Sequence, residues 1–325
     1  MRALLCKELG TPEQLVIDDI AAPAPGPGEI VVDVRAAGIN FPDTLIIQGK
    51  YQFKPELPFV PGGEAAGTVA AVGEGVTRYR TGDRVIALAP YGAFAEQMKV
   101  PADLTLPLPE SIDFEAGAGI GTTFGTSYYA LKQRARLQSG ETLLVLGAAG
   151  GVGMAAVEIG KAMGARVIAA ASSDDKLDFA RSAGADERIN YTADPLKERV
   201  KELTDGRGVN VVYDPVGGDY SEQALRATAW NGRFLVVGFA AGEIPKIPLN
   251  LPLLKGAQII GVFWGAWAQR EPQESAANFL ELMSMFKDGR LEPRVTEVFA
   301  FEDYASAFRC LSERRARGKV ILRIA

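Results

Sequence analysis

The sequence predicts an α/β protein of two domains, one β-rich and barrel-like, the other a doubly wound parallel sheet. Three observations carry that expectation. Short strands broken by Gly- and Pro-rich turns fill the chain to about residue 121. From Thr142 onward, apolar β-branched runs alternate with helix-length segments, the pattern of a parallel sheet covered on both faces. A length of 325 residues is also too great for one comfortable domain and suits two.

In the first part, strands are predicted over 29–36, 67–72, 82–88 and 95–100, punctuated by turns at Pro25-Gly26-Pro27-Gly28 and Pro61-Gly62-Gly63. In the second, strands begin near Thr142, Arg166, Glu187, Val209, Arg233 and Ala257, with helices such as 151–163 and 195–203 between them. Beyond about residue 272 the character is mixed, with helices near 275–287 and 301–312 and a closing strand over 319–324. Such a tail is suited to completing the first domain. The boundaries are therefore set at 1–121 with 265–325, and 122–264.

Composition removes several kinds of function. A net charge of −5 argues against a nucleic-acid footprint or a polybasic membrane surface. There is no histidine, which excludes His-based zinc sites and Ser-His or Cys-His catalysis. Two cysteines, Cys6 and Cys310, cannot build a Cys-rich metal lobe and read as plain thiols. No metal is expected. The start of the chain lacks a signal-peptide layout, and no apolar run approaches 18 residues, so a cytoplasmic protein is expected.

The clearest motif is TLLVLGAAGGVG from Thr142, placed where a strand should hand over to a helix. Gly147 permits the tight turn, Gly150 lets a pyrophosphate approach the backbone, and Gly153 allows close packing of helix on strand. Ala149, Gly151 and Val152 complete the turn. The motif points to dinucleotide binding; the plainer alternative is a tight turn with no ligand. An NAD site would carry Asp or Glu at the end of the second strand, bonded to the ribose. Here Ala171, Ser172 and Ser173 stand there, with Lys176 able to neutralise a 2′-phosphate, so NADPH is expected over NADH.

With these motifs the chain resembles the zinc-independent quinone oxidoreductases of the medium-chain dehydrogenase/reductase superfamily, nearly end to end. AGINFPD from Ala37 is similar to the family's Asn-containing loop, and a metal-binding Cys of zinc-dependent relatives stands in the place of Asn40. PGGEAAG from Pro61 is similar to the segment in which those relatives carry a ligand His, here Gly63. The resemblance implies a GroES-like catalytic domain from both chain ends, an inserted Rossmann domain, a cleft between them, and a homodimer. It implies that Asn40 and Thr126 lie by the nicotinamide and substrate, and that Ser172, Lys176 and Tyr191 hold the 2′-phosphate. Phe239 and Phe263 are implied to line the nicotinamide pocket. One departure is Leu45, where the family often has an active-site Tyr; Tyr51 is the nearby tyrosine.

Without metal or histidine, the chemistry suits hydride transfer by the cofactor to a conjugated acceptor. Asn40 is the candidate donor to a substrate carbonyl, with a turn-forming role as its alternative. Thr126 positions the nicotinamide, and Tyr51 or solvent supplies the proton. Asp43 is read as the cap of a helix starting at Thr44. The expected function is NADPH-dependent reduction of a small quinone. An enal, enone or enoyl-CoA reductase is the alternative, and a non-enzymatic NADPH-binding protein like lens zeta-crystallin the third reading.

Overall fold

The computed structural model describes residues 1–325. The chain gathers into two compact units, Met1–Thr122 with Pro293–Ala325, and Thr123–Glu292.

The first unit opens with β1 (Arg2–Leu5) and β2 (Val16–Asp19), an antiparallel pair. Next comes β3 (Glu29–Ile39), eleven residues that are apolar along most of their length because neighbours cover them on both sides. Two register shifts against the next strand bend it. Asn40 then caps α1 (Phe41–Ile46), with Pro42 in the first turn, where a missing N–H costs nothing. The helix thus starts at Phe41, earlier than Thr44. Asp43 lies inside its first turn, and its carboxylate reaches back to accept the Asn40 N–H at 2.7 Å. The antiparallel strands β4 (Glu64–Val72), β5 (Arg84–Leu88), β6 (Gln97–Pro101) and β7 (Thr105–Pro107) follow, and then the short helix α2 (Phe114–Gly117). In the sheet β4 lies beside β3, β5 beside β4 and β7 beside β5, while β6 pairs the first half of β3.

The second unit is entered along α3 (Gly121–Tyr129), which continues as a wider helical turn over Ala130–Arg134. Its sheet is built of β8 (Thr142–Leu146), β9 (Arg166–Ala171), β10 (Glu187–Asn190), β11 (Val209–Asp214), β12 (Thr228–Val236) and β13 (Gln258–Gly261). All pairings are parallel and the order is β10-β9-β8-β11-β12-β13. Counted within the unit this is 3-2-1-4-5-6, the order of a Rossmann sheet. The connections carry α4 (Gly151–Ala162), α5 (Asp174–Ser182), α6 (Leu196–Leu203), α7 (Asp219–Arg226) and α8 (Asn250–Lys255). β12 begins at Thr228, ahead of the apolar run at Arg233, and meets β11 through a register shift.

The same unit keeps α9 (Trp264–Arg270) and α10 (Pro272–Lys287), so it runs to Glu292 and past residue 264. Both helices pack on α3 and the turn after it. Phe124 meets Phe286 with ring centroids 4.8 Å apart, Tyr129 stacks on Trp267, and Lys132 pairs with Glu281 at 2.6 Å. Sequence alone assigns this stretch badly because its partners lie far upstream.

The chain returns to the first unit with β14 (Val295–Ala300), α11 (Tyr304–Ser312) and β15 (Lys319–Arg323). β14 and β15 are parallel, so a crossover is required, and α11 supplies it. β15 then pairs antiparallel with the second half of β3, Ala36–Ile39. The core of this unit joins Leu4, Ile30, Met98 and Phe94 from the start of the chain to Phe301 and Phe308 from its end. Cys6 and Cys310 are both buried and unpaired. No helix is long and apolar enough to cross a membrane.

Candidate active site

In the second unit, the glycine turn joins β8 to α4. Gly147 has a φ of +58°, a conformation that L side chains rarely adopt. A Cβ at Gly153 would fall 2.2 Å from the Gly147 carbonyl oxygen, so only glycine lets the helix pack this close. Gly150 differs. A Cβ there would meet nothing closer than 3.5 Å, so packing within the chain does not demand glycine. It leaves an open cradle that a side chain would fill. The first-turn N–H groups of α4, on Gly151, Val152 and Gly153, have no carbonyl of their own helix to meet and suit an anion. Ala149 is buried beneath the turn. The Val152 carbonyl accepts from Ser127 Oγ at 2.9 Å, and Ser127 in turn receives the buried Tyr213 hydroxyl at 2.9 Å. Asp214 holds the neighbouring loop, accepting from Val216 N, Gly217 N and Ser221 Oγ at 2.8, 2.9 and 2.6 Å. Burial pushes its carboxyl above the usual range even against these bonds.

The end of β9 brings Ser172 and Lys176 together: Lys176 Nζ lies 3.3 Å from Ser172 Oγ. Ser173 caps α5, and its hydroxyl accepts the Lys176 backbone N–H. Tyr191 follows β10 directly, its N–H bonded to the Ala171 carbonyl at the end of β9. Its ring packs against Tyr220, with centroids 4.2 Å apart. The Asp174 carboxylate is engaged by Asn190 Nδ2 at 3.1 Å. Sequence reading missed Thr192, whose hydroxyl lies 2.8 Å from Asn190 Oδ1 and 3.1 Å from the Ser172 carbonyl oxygen. The arrangement offers hydroxyls and an ammonium to an anion, and no strand-end carboxylate to a ribose.

In the first unit, Asn40 sits in a buried polar cluster. Its Oδ1 accepts from Lys319 Nζ at 2.7 Å, and its Nδ2 donates to Glu64 Oε2 at 3.1 Å. Lys319 Nζ also meets Glu64 Oε2 at 2.8 Å, with side-chain exposures of 6% and 0%. The other Glu64 oxygen accepts from Thr122 N at 3.1 Å. The remaining acceptors near Asn40 Nδ2, Gly38 O and Thr122 Oγ1, lie at 3.4 and 3.5 Å. Burial pushes Asp43 up to about 7, opposed by the Asn40 N–H and by the charge of Lys319. Lys319 is the member of this cluster that sequence reasoning did not find.

Of the other expected residues, Thr126 is half-buried on α3 beside Ser127. Tyr51 is half-buried against the first core, and burial together with the Asp43 charge raises its phenol above the ordinary value. Phe239 lies against the turn after β11, close to Gly217, while Phe263 is exposed at the start of α9.

Comparison with known proteins bears on both units. Residues 26–110 match the alcohol dehydrogenase GroES-like domain and residues 151–284 match the zinc-binding dehydrogenase family. A quinone oxidoreductase-like protein 2 homolog of Nematostella vectensis is 41% identical, covering 99% of this chain and 88% of that one. Among solved structures, Escherichia coli quinone oxidoreductase complexed with NADPH is 32% identical with a TM-score of 0.92, and each chain is covered in full. CurK enoyl reductase is 27% identical with a TM-score of 0.90, covering 100% of this chain and 99% of that one. Zinc does not fit the residues present. No three His, Cys, Asp or Glu side chains cluster to bind it, and of the two buried carboxylates beside Asn40, Glu64 is committed to an ammonium and Asp43 to the Asn40 N–H.

Proposed function

The chain belongs to the quinone oxidoreductase family of the medium-chain dehydrogenase/reductases, and from that premise we propose that it reduces a small quinone with NADPH, without metal. The observation that carries the cofactor is the Ser172–Lys176 pair at the end of β9, where an NAD site would carry a carboxylate. The open cradle at Gly150 fits the pyrophosphate. Bound NADPH supplies the hydride.

The chain's own residues hold, orient and balance charge. The first turn of α4 receives the pyrophosphate, and Ser172, Lys176 and Tyr191 hold the additional phosphate. Thr126, Phe239 and Phe263 serve the nicotinamide end. Asn40 has one amide hydrogen on Glu64 and a second with only distant acceptors; that second hydrogen is the donor to the acceptor's carbonyl oxygen as charge develops there. Tyr51, its phenol raised above the ordinary value by burial and the Asp43 charge, or solvent supplies the proton that accompanies the hydride. Quinone, hydride and proton balance to a hydroquinone.

The similarity to CurK enoyl reductase favours a second reading, reduction of an activated C=C bond. NADPH oxidation, followed by absorbance with 1,4-benzoquinone, 9,10-phenanthrenequinone, acrolein and crotonyl-CoA, separates the two. Turnover of quinones, with NADPH preferred over NADH, supports the proposal. Turnover of the enal or thioester alone moves the protein to alkene reduction, and tight NADPH binding without turnover leaves a binding protein.

A second copy of the chain is the proposed partner. β13 is the edge of the second sheet, and Trp230 on β12 with Leu249, Leu253 and Leu254 at α8, which leads into β13, are 70–78% exposed, apolar side chains that a homodimer would cover. Two buried free thiols suit a reducing, cytoplasmic compartment.

A further inference from the structure

A side-chain amide is nearly symmetric in shape, so only its neighbours decide which end is the donor. Asn40 has a cation on one side and an anion on the other. Lys319 Nζ can only donate, and at 2.7 Å it must face Oδ1; Glu64 can only accept, and at 3.1 Å it must face Nδ2. Turning the amide over would set an NH2 group against an ammonium and a carbonyl against a carboxylate, in a place almost closed to water.

The surroundings are shaped for the lysine. A Cβ at Gly38 would fall 2.7 Å from Lys319 Cε and 2.9 Å from Nζ, and one at Gly119 would fall 3.1 Å from its Cγ. A Cβ at Gly121 would lie 3.2 Å from Glu64 Oε1. Gly119 is closest to the lysine itself, while Cβ atoms at Gly38 and Gly121 would first meet the Ala118 carbonyl oxygen at 2.1 Å and Leu88 Cδ2 at 2.5 Å, and would crowd the pair as well. Such pairs are weak evidence for stability, since apolar replacements of equal volume often do as well. Orientation is what this one supplies.

We propose that Lys319 and Glu64 are positioning residues that lock the Asn40 amide in one orientation, so that its second Nδ2 hydrogen always faces the acceptor's carbonyl oxygen. The proposal rests on the functional reading for its consequence in turnover, while the amide lock can be tested without it.

Removing Lys319 alone leaves Glu64 buried and unpaired, so the test uses Lys319→Met together with Glu64→Gln, which discharges both partners at similar volume. The first readout is the side-chain amide of Asn40 by NMR with 15N-asparagine labelling, assigned with Asn40→Ala. In the wild type the two Nδ2 protons should be distinct and slow to exchange with water; in the double variant exchange should quicken at least about tenfold. The second readout is kinetic. kcat for the acceptor should fall roughly 10²-fold, the loss expected from a misplaced group, with the Kd for NADPH unchanged. In an Asn40→Ala background the same double substitution should cost nothing further. A folded double variant with an unaltered amide signal overturns the lock. An equal kinetic loss with and without Asn40 overturns its role in turnover. If the wild type reduces none of the acceptors with NADPH, the functional reading fails while the NMR result still decides the lock.

Discussion

Replacing Lys176 by alanine should separate the two nicotinamide cofactors. The ammonium lies 3.3 Å from Ser172 Oγ at the end of β9, and in the proposed reading it serves the 2′-phosphate, a group that NADH lacks. A cation in the first turn of a helix opposes the helix dipole, so the charge does not favour α5 through that dipole. The bond that caps α5 uses the backbone N–H of residue 176, which alanine retains. The part of the loss that distinguishes the two cofactors should therefore be the phosphate contact. A charge-assisted hydrogen bond to phosphate contributes about 1.5–3 kcal/mol, and the Kd for NADPH should rise roughly 10- to 100-fold at about 1.4 kcal/mol per decade. Titration calorimetry with NADPH and NADH on both proteins measures this, and raising the salt should weaken NADPH binding to the wild type more than to the variant. An equal loss for both cofactors would refute the assignment, since a phosphate that NADH lacks could not explain it.

Asp43 offers a test by pH. Burial raises its carboxyl from 3.8 to about 7, so the folded chain holds this proton more tightly than the unfolded one. The resulting stability is complete below 3.8 and is lost as pH rises through 7, about 4 kcal/mol over that window at about 1.4 kcal/mol per pH unit. Asp43→Asn keeps an acceptor for the Asn40 N–H but not the titration, so in urea melts it should gain on the wild type between pH 5 and pH 8; parallel profiles would show that the site does not titrate. Gly153→Ala places a Cβ 2.2 Å from the Gly147 oxygen and should lower stability by about 1–3 kcal/mol, seen as a reduced Tm with loss of both cofactors. Leu253→Glu, on the exposed apolar surface beside β13, should give a monomer in sedimentation velocity; an unchanged sedimentation coefficient would remove that surface from the interface. Dialysis against a chelator should leave NADPH oxidation unchanged, because the donors near Asn40 do not make a zinc site.

Local patterns in the chain were enough for the second unit's sheet. Continuous apolar strands alternating with helices, and glycines that the turn at 147 and the contact at 153 require, are properties of short segments and survive without knowledge of partners. The strand-end pair Ser172 and Lys176 was legible for the same reason: Ser172 stands just before the Ser173 cap and Lys176 in the first turn of α5, so a short stretch of chain keeps them close. Asn40 and Asp43 were also within reach, although helix α1 starts three residues before the Thr44 expected, because Pro42 fits a first turn as readily as it breaks an interior one.

What the sequence could not decide depends on long-range closure. The fate of 265–292 turned on whether Phe279, Glu281 and Phe286 found partners upstream, and they found them at 124–133 and Trp264. Lys319 reads as an ordinary lysine at the start of a closing strand. Only the antiparallel pairing of β15 with β3 carries it, across 279 residues, to 2.7 Å from Asn40. No periodicity announces that contact, because a buried ion pair is specified by the register of two strands and by the space left at Gly38 and Gly119. The chain by itself determined the fold class, the glycine turn and the juxtaposition of Ser172 and Lys176 at the strand end. Tertiary structure decided which charges meet around Asn40, since that depends on which distant strands pair and in what register.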